Sequence, residues 1–242
     1  MKRMLLLLLG GMLCAGSAHA IGVDLNTVAC AANTNASQDG TIDCAGGGVV
    51  TLLMTFAPAE AISDLVAVDA LVDVTLKAGD VHSDATFWDF ESVDPAALGL
   101  NHLRPSSGCL SPSYANTWNR TGAGVSLGAL VRTPRNVRIA AGSYRPDYFV
   151  ASANQKLFGW QMTLDGSTSV EAGGGATGCS APACISVIQA IPQSAVGNPT
   201  TTLSGGNLTT YPWVGVNIAS VVCIPPDPVI RHTWSQLKSM YR

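Results

Sequence analysis

The sequence predicts an all-β protein: an antiparallel β-sandwich of immunoglobulin-like, cohesin-like or jelly-roll type with a short C-terminal helix. Three observations predict it. Apolar and polar residues alternate with a period of two in several short runs. Those runs are separated by turns rich in Gly, Pro, Ser and Asn, among them CAGGG at 44–48, RPSSG at 104–108 and QSAVGNPTTTLSGGN at 193–207. No helical stripe longer than two turns precedes residue 232, and strands without helices between them pack as sandwiches.

Residues 1–20 have the pattern of a secretory signal. Lys2 and Arg3 precede an apolar run over 4–13, and Ala18-His19-Ala20 offers small residues to a signal peptidase. The run is too short to span a bilayer stably. Cys14 follows Leu13, where a lipobox wants a small residue, so no lipid anchor is expected there. The β-sandwich domain is expected over 21–224, a Pro-rich spacer over 225–231 and a helical tail over 232–242. Within the domain, GVDLNTV (22–28) reads as the first strand and GGVVTLLMTFA (47–57) as a central one. In SDLVAVDALVDVTL (63–76), Val66, Val68, Ala70, Val72, Val74 and Leu76 share one face, with Asp69, Asp73 and Thr75 on the other. NVRIAAG (136–142), KLFGWQMTLDG (156–166), CISVIQAI (184–191) and WVGVNIASVVC (213–223) supply the remaining strands.

Beyond Cys14 the chain has six cysteines: Cys30, Cys44, Cys109, Cys179, Cys184 and Cys223. An even number in an exported chain implies three disulfides, with fifteen connectivities. Pairing between sequence neighbours favours Cys30–Cys44 and Cys179–Cys184, leaving Cys109–Cys223. No Cys-x-x-Cys pair or Cys/His cluster suggests zinc.

Charge divides along the chain. Residues 21–94 have twelve acids against Lys77, whereas 95–146 have Arg104, Arg120, Arg132, Arg135, Arg138 and Arg145 and no acid. Acidic and basic strands lying side by side within a monomer are the expected reading of the division; the alternative is a two-ended field that favours head-to-tail contact between copies or with a partner. Without Lys2 and Arg3 the net charge is −5, which gives no general attraction to nucleic acid.

No stretch completes a catalytic or cofactor signature. NASQDGTIDC (35–44) has Asn35, Ser37, Asp39 and Gly40 in the order of a calcium loop, but Gly46 stands where the bidentate Glu belongs. HSDATFWDFESVD (82–94) puts Asp89 and Glu91 beside Trp88 and Phe90, the ingredients of a glycoside hydrolase without evidence of a cleft. Gly173, Gly175 and Gly178 fit a dinucleotide glycine motif, yet no helix follows. The histidines His82, His102 and His232 have no partner signature. The candidate ligand-stacking residues are Tyr114, Trp118, Tyr144 and Tyr148, in or near loops of the Arg-rich half. The expected function is an exported, non-catalytic interaction or structural protein of the cell surface, with a carbohydrate-binding domain as the alternative and a secreted hydrolase third. Expected partners are a protein or a polysaccharide. No metal or cofactor is expected, nor any membrane span in the mature chain. The location is secreted, extracellular or cell-surface, or periplasmic.

TGCSAPACISVIQAI (177–191) and TWSQLKSMYR (233–242) together resemble a family of uncharacterised secreted bacterial β-sandwich proteins. Its members have a TG-C…P-x-C-I stretch and a TW-x-x-[IVL]-K-x-[LM]-YR ending. Thr233, Trp234, Leu237, Lys238, Met240, Tyr241 and Arg242 match that ending. Cys179 and Cys184 stand where relatives can carry a third cysteine, a departure that bears on the disulfide pairing. The resemblance implies an exported location and a sandwich architecture, and no reaction.

In the tail, Thr233 and Gln236 form a capping box, and Trp234, Leu237 and Tyr241 fall on one helical stripe beside Met240. Ordering nine residues costs on the order of 9–18 kcal/mol. Burying the stripe returns roughly 15 kcal/mol. The tail is therefore helical only when docked, and PPDP at 225–228 is a stiff spacer before it. Trp234, Leu237, Lys238, Met240, Tyr241 and Arg242 are the candidate recognition residues of a sorting tag. Deleting residues 232–242 should lower domain stability by less than about 1 kcal/mol and change where the protein accumulates. Fractionation of expressing cells and a melting curve test this, and a large fall in melting temperature with unchanged localisation would make the tail part of the core.

Overall fold

A computed structural model describes residues 22–27, 30, 37–76, 87–88, 98–105, 109, 114–133, 136–196, 202–203, 212–218 and 223, with 129–133 as backbone only. The signal segment, spacer and tail lie outside these residues. The described residues form ten strands: β1 (Gly22–Thr27), β2 (Asp39–Gly40), β3 (Val49–Ala57), β4 (Ile62–Leu76), β5 (Leu98–Asn101), β6 (Gly124–Thr133), β7 (Asn136–Ala151), β8 (Leu157–Asp165), β9 (Ala183–Ser194) and β10 (Trp213–Val216). Two short 3₁₀ turns, Gly166–Thr168 and Val170–Ala172, follow β8.

The strands form two sheets. One has the order β1-β3-β8-β5 and the other β2-β10-β9-β4-β7-β6. Every pairing is antiparallel except β2 with β10. The all-β sandwich expected from the sequence is thus the observed fold. In chain order, β1, β3, β8 and β5 opposite β10, β9 and β4 reproduce the A-B-E-D and G-F-C strand order of an immunoglobulin constant-type sandwich. The β6–β7 hairpin extends the second sheet beside β4, where variable-type domains add two strands, although here the hairpin follows β5 in the chain.

The core lies between the sheets. Val23, Leu25, Leu52, Met54, Trp160, Met162 and Leu164 are fully buried on one side, and Val68, Val72, Val74, Val137, Ile139, Ile185 and Val187 on the other. Across the gap, the Ser143 hydroxyl donates to the Gly159 carbonyl at 2.8 Å. Register shifts break strict alternation. Met54 opposes Trp160 but Thr55 opposes Phe158, so Gly159 is the extra residue that turns Phe158 away from the side its neighbours predict. Leu65, placed among polar residues by simple alternation, is fully buried because β4 shifts register on both sides of it.

All six described cysteines are paired, as the even count implied, but the expected pairing is overturned in all three bridges. The bonds are Cys30–Cys109, Cys44–Cys179 and Cys184–Cys223, with Cα separations of 5.0, 6.0 and 5.6 Å. Proximity in sequence loses to sheet packing. Cys44 stands in the turn before β3, and the loop after β8 docks on that turn: Gly166 N–H donates to the Gly48 carbonyl at 3.0 Å and the Ser169 hydroxyl to the Cys44 carbonyl at 2.5 Å. This brings Cys179 to Cys44. Cys184 is already in β9, opposite Thr75 and Gly215, and its partner follows β10. The bridges span 79, 135 and 39 residues, worth about 4–5 kcal/mol each in the chain-entropy account.

Among the described residues, the acidic and basic segments meet in a buried ion pair. Asp73 of β4 and Arg138 of β7 are directly opposite. Arg138 donates from Nε to Oδ1 at 2.6 Å and from Nη2 to Oδ2 at 2.7 Å, and the Asp73 side chain is fully buried. Asp73 therefore does not face solvent, as alternation alone suggests. Its hydrogen bond to Arg138 raises the already high guanidinium pKa, and the arginine stays charged. Removing one partner of such a pair strands a buried charge at a cost of about 3–5 kcal/mol, whereas replacing both with apolar groups costs far less. Asp73→Ala should lose stability in that range on urea unfolding, and Asp73→Leu with Arg138→Met should recover most of it. A loss below about 1 kcal/mol for the single variant would mean that the pair is no better than a surface contact.

Candidate functional site

Among the described residues, seven large hydrophobic side chains are exposed, and three of them lie within seven residues of β7: Tyr144, Tyr148 and Val150. Val49, Leu103, Val170 and Val196 are scattered singly, which is ordinary for a surface. With the exposed Pro146 and Asp147, these residues make 144–150 the most exposed stretch of β7, the β7 strip.

The strip exists because β7 bulges. Ala67 opposes Tyr144 and Leu65 opposes Phe149, so two steps along β4 match five along β7. The excess falls at 145–148, where Pro146 could not donate to a ladder in any case. Bulges re-aim side chains and recur beside functional sites. Here Tyr148 and Asp147 turn outward, while Arg145 turns inward and holds the bulge in shape. Arg145 is buried. It donates from Nε to the Asp147 carboxylate at 2.9 Å and from Nη1 to the Thr117 carbonyl at 2.7 Å, and its guanidinium lies 5.4 Å from the Phe149 ring centroid. Arg120, exposed, places Nε 3.7 Å from the other Asp147 oxygen.

Glycine shapes the start of the strip. Gly124 of β6 is opposite Tyr144, and a Cβ on it would come within 2.5–3.1 Å of the tyrosine ring edge and hydroxyl. The ring therefore lies against the bare backbone of the neighbouring strand and is about half exposed (47%). Gly122, with φ +83°, turns the chain beside Pro146.

The four candidate stacking residues thus separate into two pairs. Tyr144 and Tyr148 are exposed. Tyr114 and Trp118 are buried, and the expectation that they stack on a ligand is corrected. Trp118 donates its indole N–H to the Phe158 carbonyl at 2.7 Å, and Tyr114 lies under Lys156, whose Nζ is 5.8 Å from the ring centroid. Ala115 bridges to the start of β8, and Arg104 donates to the carbonyls of Cys109 and Tyr114. Residues 114–118 are consequently a bracket that offers Thr117 to Arg145. The signal that the sequence did contain for the bulge was Pro146-Asp147 inside a strand-like run, which reads as a turn when only short strands are considered.

The other motifs resolve simply. Ser37 and Asp39 make a local turn in which the Asp39 N–H donates to the Ser37 hydroxyl at 3.1 Å, and β2 starts there; Asn35 lies outside the described residues. Among the described residues no three His, Cys, Asp or Glu side chains form a metal-binding group. Gly173 and Gly178 take left-handed conformations in a loop that leads into β9. Trp88 is buried, with its N–H donating to the Gly178 carbonyl, while Asp89, Glu91 and the tail residues Trp234 to Arg242 lie outside the described set.

The hydrogen bond from Arg145 holds the Asp147 carboxyl below the usual carboxylate range, with Arg145 and Arg120 charge adding to it. Asp64 and Asp165 are lowered by hydrogen bonds from Ser194 and Ser167. A depressed carboxylate contributes stability that is present above its unfolded value near 3.9 and is lost as pH falls through its lower folded value. Melting temperatures of wild type and Asp147→Asn from pH 7 to 2.5 should therefore converge below about pH 4. Parallel curves across the range would remove Asp147 from the acid response.

No family model matches the chain, and no curated protein or solved structure is significantly similar to it.

Proposed function

We propose that this chain is an exported, non-catalytic interaction protein of the cell surface whose contact surface is the β7 strip. The observation that carries the reading is Tyr144-Pro146-Tyr148-Val150 held outward by a buried arginine. Apolar groups kept in water on a bulge fixed by Arg145 invite a partner. Three disulfides agree with an oxidising compartment, and the signal pattern over 1–20 agrees with export. The likeness of the 177–191 stretch and the ending to secreted bacterial sandwich proteins supports the same reading.

Purified wild-type protein should adsorb to isolated cell envelopes in a sedimentation assay. The Tyr144→Ala, Tyr148→Ala double variant should lose most of the bound fraction while keeping its melting temperature, since both side chains are exposed. Equal adsorption of the two proteins would overturn the reading.

A further inference from the structure

We propose that the β7 strip binds a polysaccharide, with pyranose rings stacked on Tyr144 and Tyr148 and a sugar hydroxyl pair bound at Asp147 and Arg120. The ligand assignment rests on the reading of the chain as an interaction protein and adds the chemical class of its partner.

Three features favour a sugar over a protein. First, the strip is small. Two tyrosines, a proline and a valine along one strand fall well short of the roughly 800 Å² per partner that a stable protein interface needs. A pyranose needs only a flat apolar face for its axial C–H groups and a few polar atoms beside it. Second, the Tyr144 ring has such a face. Its edge and hydroxyl lie against Gly124, where any Cβ would displace them, and about half of the residue stays in water. Third, a polar group stands between the two rings in the sequence and is held in place. The Asp147 carboxylate, 53% exposed, is anchored by buried Arg145, and exposed Arg120 lies beside it. A fixed carboxylate accepts from two adjacent hydroxyls, and the guanidinium donates to a third oxygen. Arg145 and Asp147 offset each other's charge, and the Arg120 guanidinium beside them adds a positive charge to the described residues of the site. The site therefore accepts neutral hexose chains and uronate chains alike, and the probes separate them.

The test is affinity electrophoresis in gels containing a soluble β-glucan, a xylan, a mannan or polygalacturonate, followed by titration calorimetry with the best binder. The wild type should be retarded by at least one of them. Tyr148→Ala should weaken binding at least tenfold, and Tyr148→Phe should retain it. Gly124→Ala keeps every side chain of the strip but tilts Tyr144, and should weaken binding several-fold with the melting temperature recorded alongside. Asp147→Asn should weaken it too. Retardation by polygalacturonate alone, abolished by Arg120→Gln, assigns a uronate; retardation by a β-glucan or mannan assigns a neutral hexose chain, and by the xylan a pentose chain. No retardation in any of the four gels, or retardation unchanged in Tyr148→Ala, overturns the proposal. Should the double tyrosine variant lose envelope adsorption while the wild type ignores all four polysaccharides, the interaction reading stands and the sugar assignment fails.

Discussion

The register of β4 against β7 is the constraint from which the rest of the molecule follows, and the Asp73–Arg138 pair is bonded across it. A slip of one residue in an antiparallel pair moves every side chain to the opposite face. Here it would also break a bidentate bond between buried charges, each of which is costly to bury without the other. The same two strands stand fourth and fifth in the six-stranded sheet, between β9 and β6. With Asp73 locked to Arg138, Val72 and Val74 must face Val137 and Ile139 in the core. The β7 bulge then has to absorb its surplus residues beyond Tyr144, which is where the exposed strip begins.

Local polar bonds turn that surplus into a defined shape. A bulge of three extra residues would be loose if nothing fixed it. Arg145 provides three anchor points at once: a carboxylate, a carbonyl and an aromatic face. Thr117 can receive it because Trp118 is pinned to β8 and Arg104 ties Cys109 and Tyr114 together. The aromatic residues of the Arg-rich half therefore serve two ends. Those of the bracket fill the core, and those of the strand remain in water.

Much of this was legible in the sequence, and the remainder was not for identifiable reasons. Period-two alternation found β4 and β8, because a half-buried strand imposes that period on its residues, while apolar runs bounded by turn residues found β1, β3, β9, β10 and the first half of β7. It missed β6, where Gly124 and Gly128 look like turn residues although Val125 and Leu127 alternate between them. It also missed β2 and β5, which are too short to have a period. Alternation assigned Asp73 to solvent because a period cannot tell an exposed carboxylate from one buried against an arginine on the next strand. The six bonded cysteines could be counted but not joined, since pairing depends on which loops dock. The strip was half legible: tyrosine marks a candidate contact, but only tertiary packing decides whether Tyr144 or Tyr114 meets water.

The connectivity of the bridges has a consequence for how the protein is made. Cys30 joins Cys109 and Cys44 joins Cys179, so the first two loops interlock, and only the last bridge links neighbours in cysteine order. A chain that emerges from its N-terminus presents Cys30 and Cys44 to an oxidant before either partner has been delivered. A Cys30–Cys44 bond made at that stage would be non-native, and a later thiolate would have to attack it before the native bridges could close. Maturation of this domain is thus a problem of thiol exchange as much as of strand pairing. Its yield in any compartment will follow the supply of an isomerase more closely than the supply of an oxidant.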